Sequence, residues 1–510
     1  MRGLNLVGVL LLGPASLAAQ GTVVTAVNSI TPQDIIRRIG VIAHDSMRGR
    51  DTPSPGLDMT AEWIAREFEA MGLAAGGDAG SFIQRYPLRR TRFAVAASRI
   101  EVSGGRTLHF ATDAARLRGR ATGPNGVTGR TVVLRGTPAR SDAFSGLNVR
   151  GAVVIAVTSP DSISRWLRPI LAQQPAAVIF LTERSDRSWR SVTQGQLGTT
   201  LEKGWGGVQA QRGGPPIIEV RDAALAAALA ANGFDVTAAR SGTAPLGAGA
   251  GAGAVPLPGL ALTIHLAFET VEELSVPNVV AVLEGSDPTL KHEYIVFSAH
   301  MDHVGIRRAI DGDSIYNGAD DDASGTIAVV EAAEAFASLN PRPRRSLIFL
   351  LVSGEEKGLW GSEYFTEKPT VPIERIVANL NADMVGRNWR DTIVVIGKEH
   401  SDLGTTLNRV NQQHPELNMT AIDDIWPNQR FYFRSDHYNF ARKGVPILFF
   451  FNGTHADYHR PSDEVDKIDG EKASRIVKLM FYLGLDIANA DQRPVWNPDS
   501  YRQIVQGAGR

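Results

Sequence analysis

Two apolar periods alternate along this chain of 510 residues. Ile35, Ile36, Ile39 and Ile42 recur at helical spacing. Thr31-Pro32 ahead of them supplies an N-cap and a residue suited to the first turn. Met59 to Met71 repeats the pattern, with Trp63, Ile64 and Phe68 facing inward and Gly72 as the stop. Met47 to Pro55, rich in Gly, Pro, Ser and charge, reads as a loop. Residues 120–265 change character. Short β-branched runs at Thr131 to Leu134, Ala152 to Val157, Ala177 to Leu181 and Pro216 to Val220 alternate with turns, and Ala223 to Ala231 is alanine-rich. This predicts a separate β-rich module, closing on a flexible Gly/Ala tract from Gly247 to Ala254.

From about 270 the pattern becomes strand, loop, helix, repeated. Strands are expected at Asn278 to Leu283, Tyr294 to Ser298, Ser346 to Val352, Ile376 to Leu380, Thr392 to Ile396 and Pro446 to Phe451. Helices are expected at Ser324 to Ser338 and Lys472 to Ile487, the last with Ile476, Leu479, Met480, Leu483 and Ile487 on one face. Several of these strands are apolar without alternation, as when helices cover both faces of a sheet. The fold class is α/β with a mostly parallel central sheet flanked by helices.

Composition adds little except by exclusion. A formal net charge of -1 leaves no electrostatic footprint for nucleic acid. The chain has no Cys, which excludes disulfides and a cysteine-linked lipid anchor. Arg2, the apolar run Leu4 to Leu12, and Ser16 and Ala18 form an export-signal pattern, with cleavage expected after Ala18 or Ala19. That run is too short to span a bilayer. A secreted or periplasmic protein without stable membrane insertion is expected, with residues 1–19 as signal, 20–119 as the helical front of the main domain, 266–490 as its catalytic part and 491–510 as a tail.

The chemistry lies at strand ends. His300-Met301-Asp302-His303 follows YIVFSA, Glu355-Glu356 follows SLIFLLVSG, Asp383 follows IVANLNA, and His455, Tyr458 and His459 follow PILFFFNG. Asp320-Asp321-Asp322 precedes the Ser324 helix. Open α/β sheets bind ligands at the carboxyl ends of their strands, so five segments deliver imidazoles or carboxylates to one edge. Clustered carboxylates repel unless a cation is present, and imidazole with carboxylate is an ordinary zinc shell. Two histidines and three acids suffice for two metals if one acid bridges, leaving another acid as proton shuttle.

These residues resemble the co-catalytic di-zinc exopeptidases, a family that includes secreted bacterial aminopeptidases, glutamate carboxypeptidase, glutaminyl cyclase and the transferrin receptor. The matching pieces are Ser298 to Asp302, Gly318 to Gly325, Gly354-Glu355-Glu356, Asn381 to Met384, Ser435-Asp436-His437 and Tyr458 to Asp463. The likeness covers about 270–490, with a weaker echo at Met47 to Arg50. The inserted module resembles a protease-associated domain through Gly146 to Val157 and Ala176 to Leu181. The resemblance implies that His300 and Asp383 hold one Zn2+, Glu356 and His459 the other, and Asp321 bridges them. It makes Glu355 the general base acting on a metal-bridging hydroxide, Tyr458 an oxyanion donor, and Asp302 and Asp436 supporting residues. His303 and His455 match no ligand position and are expected in supporting or surface roles. The implied activity is aminopeptidase action on a peptide substrate. Carboxypeptidase or dipeptidase action, with Arg434 gripping a terminal carboxylate, is the alternative within the family. Glutaminyl cyclisation and a metal-free receptor fit the full ligand set less well. Side-chain preference and oligomeric state are not legible.

Overall fold

The computed structural model describes residues 14–134, 148–206, 214–241 and 254–507. Arg2, the run Leu4 to Leu12, Gly146, and the Gly/Ala tract up to residue 253 lie outside them. A helix, Pro14–Ser29, includes Ser16 and Ala18. No helix among the described residues is long and apolar enough to cross a membrane. The chain divides into two compact units, residues 1–86 with 275–510, and residues 87–274.

The first unit carries all the strand-end chemistry. Helix α1 (Pro32–Ile42) starts where the pattern predicts, with the Thr31 hydroxyl accepting from the Asp34 N–H at 3.1 Å and Ile35, Ile39 and Ile42 buried. Helix α2 (Pro55–Ala70) is capped by Ser54 and buries Leu57, Ala61, Ile64 and Phe68, one residue per helical turn. The sheet then builds from β1 (Phe268–Leu283), β2 (Tyr294–His300), β3 (Ser346–Val352), β4 (Ile376–Ala382), β5 (Thr392–Ile396), β6 (Thr420–Ile422) and β7 (Ile447–Phe450). Among these seven strands the order is β1-β3-β2-β4-β7-β5-β6. The pairings β3-β2, β2-β4 and β4-β7 are parallel, so three fully buried strand ends and the loop after β7 open on one edge. The flanking pairs β1-β3 and β7-β5 are antiparallel, which the apolar runs alone do not distinguish.

Helices α3 (Gly325–Ala337) and α4 (Gly470–Asn489) cover one face and bury the side chains expected of α4. Gly484 seats α4 against β2, because a Cβ there would lie 2.3 Å from the Phe297 ring. Near the end of the described residues Ile504 is buried, and it and Trp496 pack with the second core cluster of this unit.

The second unit starts at Pro87, not near 120. Strands Arg99–Val102 and Arg106–His109 carry charged residues between their apolar ones, which hides them from an apolar-run reading. They bury Ile100, Val102 and Leu108 in the same cluster as Ile155 and Ile179. Residues 87–119 therefore do not belong with the front helices. The unit is mixed α/β rather than simply β-rich. Strands Thr131–Leu134, Val153–Val157, Ala177–Thr182 and Ile217–Arg221 run parallel, with four helices among the described residues between Ile163 and Ser241.

Candidate metal centre

Strand β2 ends on His300, and its neighbours fix the imidazole from several sides. The His300 main-chain N–H donates to Asp322 Oδ2 at 3.2 Å. Its Nδ1 lies 3.1 Å from the main-chain oxygen of Asp302 and 3.7 Å from that residue's carboxylate. Asp302 thus orients the ring mainly through its backbone. Its carboxylate accepts from the Thr52 hydroxyl at 2.8 Å and the Glu355 N–H at 3.2 Å, tying the glutamate loop to the histidine loop.

The three consecutive aspartates do three jobs. Asp320 accepts the Gly386 N–H at 2.7 Å and faces His455 Nε2 at 3.2 Å. Asp322 accepts from the N–H groups of Gly325 (2.9 Å) and Met384 (3.1 Å). Asp321 points between the histidines, with Oδ1 3.5 Å from His300 Nε2 and Oδ2 3.1 Å from His459 Nε2. Buried Asp463 holds this run in place by accepting the N–H groups of Asp320 and Asp321 at 3.1 Å.

Asp383 follows β4. Its Oδ1 is 3.6 Å from His300 Nε2 and its Oδ2 accepts the Ser435 hydroxyl at 2.8 Å. Ser435 thereby gives the Ser-Asp-His motif its place, as a grip on Asp383. Asp436 is fully buried, and that burial, partly offset by His300, pushes its carboxyl up to about 7. His437 donates from Nε2 to the Tyr432 carbonyl at 2.8 Å and stacks on Phe449, and burial pushes it down to about 3.

Glu356 Oε1 lies 3.0 Å from His459 Nε2 and 3.1 Å from His303 Nδ1. Burial alone would raise its carboxyl, but the two imidazoles outweigh burial and hold it well below the ordinary range. Glu355 turns instead into an open cleft of about 370 Å³, whose polar wall includes His300, Asp321, Asp383, Arg434 and Tyr458. Burial first, then Asp436 and Asp383, pushes the Glu355 carboxyl up against the opposing pull of His300. Burial likewise keeps the Tyr458 hydroxyl protonated. Met384, Phe431, Phe449 and Phe451 form the apolar wall.

All five expected ligands therefore converge, in two groups sharing Asp321: His300, Asp321 and Asp383, and Asp321, Glu356 and His459. Imidazole nitrogen and carboxylate oxygen are a fitting set for zinc. Asp321 Oδ2, Glu356 Oε1 and His459 Nε2 are buried with no hydrogen-bond partner, a cost that a cation removes. The second group also contains His303, which is fully buried rather than at the surface. His455 stays outside both groups, against Asp320.

Arg50 is a further residue that sequence reasoning left unassigned. It is fully buried, and its guanidinium donates to four main-chain oxygens: Met301 (2.9 Å), Ile42 (2.7 Å), Asn317 (2.6 Å) and Gly318 (2.9 Å). It clamps the segment carrying His300 to the segment carrying Asp321. Its sequence signals were a loop rich in glycine and arginine and the weak family likeness at Met47 to Arg50.

Comparison with known proteins finds partial matches. A probable zinc metalloprotease of Leptosphaeria maculans is 26% identical over 243 residues, 40% of this chain and 55% of the relative. A probable leucine aminopeptidase of Arthroderma otae is 25% identical over 223 residues, 42% of this chain and 58% of the relative. The chain thus spans little more than half the length of these curated relatives. An aminopeptidase from Aneurinibacillus sp. strain AM-1 aligns in structure at a TM-score of 0.49 and 19% identity, covering 93% of this chain and 98% of its own. The sequence profile of Peptidase family M28 matches residues 278–484, the stretch that holds every candidate ligand.

Proposed function

We propose that the chain is an exported zinc-dependent exopeptidase that removes residues from the amino terminus of peptides, using two zinc ions. The observation that carries this reading is the division of labour in the adjacent glutamates: Glu356 faces two imidazoles, while Glu355 stands outside both ligand groups and lines the cleft. Zinc bound by these groups supplies Lewis-acid polarisation of a carbonyl and an acidified water. Glu355 takes the proton of the attacking water and returns it to the leaving amine. The protonated Tyr458 hydroxyl donates to the oxygen on which charge develops. The apolar wall of Phe431, Phe449, Phe451 and Met384 suits an aliphatic or aromatic side chain, in keeping with the relative named as a probable leucine aminopeptidase.

One observation favours a second reading. Arg434 lines the cleft, with its guanidinium 4.7 Å over the Phe431 ring, where it would meet a terminal carboxylate. The test compares leucyl p-nitroanilide, its N-acetylated form, and an N-acylated dipeptide with a free carboxylate. The aminopeptidase reading expects turnover of the first alone, lost to chelator and restored by zinc. Turnover of the third but not the first transfers the assignment to carboxypeptidase. Residues 87–274 are assigned an accessory, protease-associated role, since every candidate ligand lies in the other unit. Export rests on the N-terminal residue pattern, and sequencing of the native protein should read a first residue near Ala19 or Gln20.

A further inference from the structure

We infer that His303 is a fourth protein ligand at one of the two metal positions, so that the pair is unequal: one position closed by protein, the other open to substrate. The inference rests on the two-metal reading above and adds a residue and a role to it.

The aim of His303 is fixed by its surroundings. It sits three residues beyond His300, where the chain has left β2, and its main-chain N–H donates to the Arg50 carbonyl at 3.2 Å. Its ring lies against Gly318, where a Cβ would come within 2.5 Å of Cγ; no side chain there competes for the space. The side chain is fully buried, with Nδ1 directed at Glu356 and Asp321.

The distances lie close to those of a coordination shell, one within its range and three 0.2–0.3 Å shorter, a gap that drawing the donors around an ion would open. His303 Nδ1 is 3.1 Å from Glu356 Oε1 and 3.6 Å from Asp321 Oδ2, and His459 Nε2 is 3.0 Å and 3.1 Å from the same two oxygens. Four donors at about 2.0–2.2 Å from a tetrahedral zinc lie about 3.3–3.6 Å apart. Burial gives independent support. These same four atoms, His303 Nδ1, Asp321 Oδ2, Glu356 Oε1 and His459 Nε2, are each buried without a hydrogen-bond partner. A histidine that merely supported Glu356 would satisfy that pair alone and leave Asp321 Oδ2 and His459 Nε2 unsatisfied.

The other position differs in the number of its donors and in its place in the cleft. His300, Asp321 and Asp383 offer three donors, with His300 Nε2 at 3.5 Å and 3.6 Å from the two carboxylate oxygens. All three line the cleft, whereas His303, Glu356 and His459 do not. Structural zinc sites fill four positions with protein, and catalytic sites keep one free. The substrate carbonyl therefore meets the position held by His300 and Asp383, and His303 closes the neighbouring one.

The test uses the metal-free full chain, titrated with Co2+ and followed by visible absorption and by bound metal. The wild type should take two equivalents. One gives the intense absorption of four-coordinate cobalt, unchanged by leucine hydroxamate; the other gives a weaker band that the hydroxamate shifts. His303→Ala should lose the intense band and weaken that equivalent by more than the about 10–100-fold expected from loss of a supporting hydrogen bond. Retention of the band in His303→Ala, or weakening of about 100-fold or less, overturns the assignment. If that variant does not fold, the wild-type titration decides alone: two equivalents without a hydroxamate-insensitive four-coordinate band overturn it. A wild type that takes fewer than two equivalents overturns the two-metal reading itself.

Discussion

Replacing Arg50 tests whether the metal centre is held from behind by main-chain contacts. Four N–H groups of one buried guanidinium meet four carbonyls, drawn from the end of α1, the loop after β2 and the loop before the aspartate run. Hydrogen bonds involving a charged group contribute about 1.5–3 kcal/mol each, so the four together supply roughly 6–12 kcal/mol. Against this stands burial of the charge, which pushes the Arg50 guanidinium from 12.5 down to about 10. At about 1.4 kcal/mol per pKa unit that costs about 3 kcal/mol. Arg50→Met removes the charge and leaves four carbonyls unpaired in a pocket that a thioether cannot satisfy. The expected loss is about 3 kcal/mol or more. Arg50→Lys keeps the charge but offers three donors without the planar fork, and should fall between. Urea unfolding of metal-free protein reads the stability, and zinc titration reads the second effect, a weaker site, since Met301 and Gly318 flank ligand segments. An Arg50→Met protein within about 1 kcal/mol of wild type and with unchanged zinc affinity would refute the clamp.

Three further outcomes are expected. Glu355→Gln should keep both zinc ions while kcat falls about 10²–10⁴-fold, whereas Glu356→Ala should lose zinc from one position; metal content and kcat of each variant check this, and the opposite pattern reverses the pair. His437 is held neutral in the fold at about 3, against 6.5 in the unfolded chain, so its contribution is fully present above about 6.5 and declines as pH falls toward 3. Between pH 6.5 and 5 urea unfolding should show wild type losing about 1.4 kcal/mol per pH unit more than His437→Gln, which keeps a donor to the Tyr432 carbonyl; parallel curves count against it. Replacing residues 87–274 by a short Gly/Ser linker should leave zinc binding intact, because every candidate ligand lies in the other unit; a folded deletion protein without zinc contradicts the division.

Strands β2, β3 and β4 were legible because both faces are covered, so their residues are apolar without interruption. The ligands were legible because parallel strands deliver the loops at their carboxyl ends to one edge. His303 was not, because nothing in HMDH tells whether the second histidine turns back beneath the first; that depends on the space left by Gly318, fifteen residues on. Arg50 was invisible for a related reason: its partners are main-chain oxygens, which carry no side-chain signature. The start of the second unit was misplaced because strands with charged residues between apolar ones read locally as loop. Asp322 and Asp463 act on N–H groups, and their roles emerge only once β2, β4 and the last loop lie side by side.

The interrupted layout of the first unit sets an order of assembly. Residues 14–86 are made early, yet the oxygens that Arg50 binds at Met301, Asn317 and Gly318 are made more than two hundred residues later. Helices α1 and α2 pack into one core cluster with β2, β3 and α4, so the front segment cannot bury its apolar faces until the rear is present. The intervening 188 residues have core clusters of their own and need not wait. A chain leaving the ribosome therefore carries exposed Ile and Leu stripes at its front for most of its synthesis. Closing so long a loop is entropically slow, which prolongs the period in which the front segment stays unpacked.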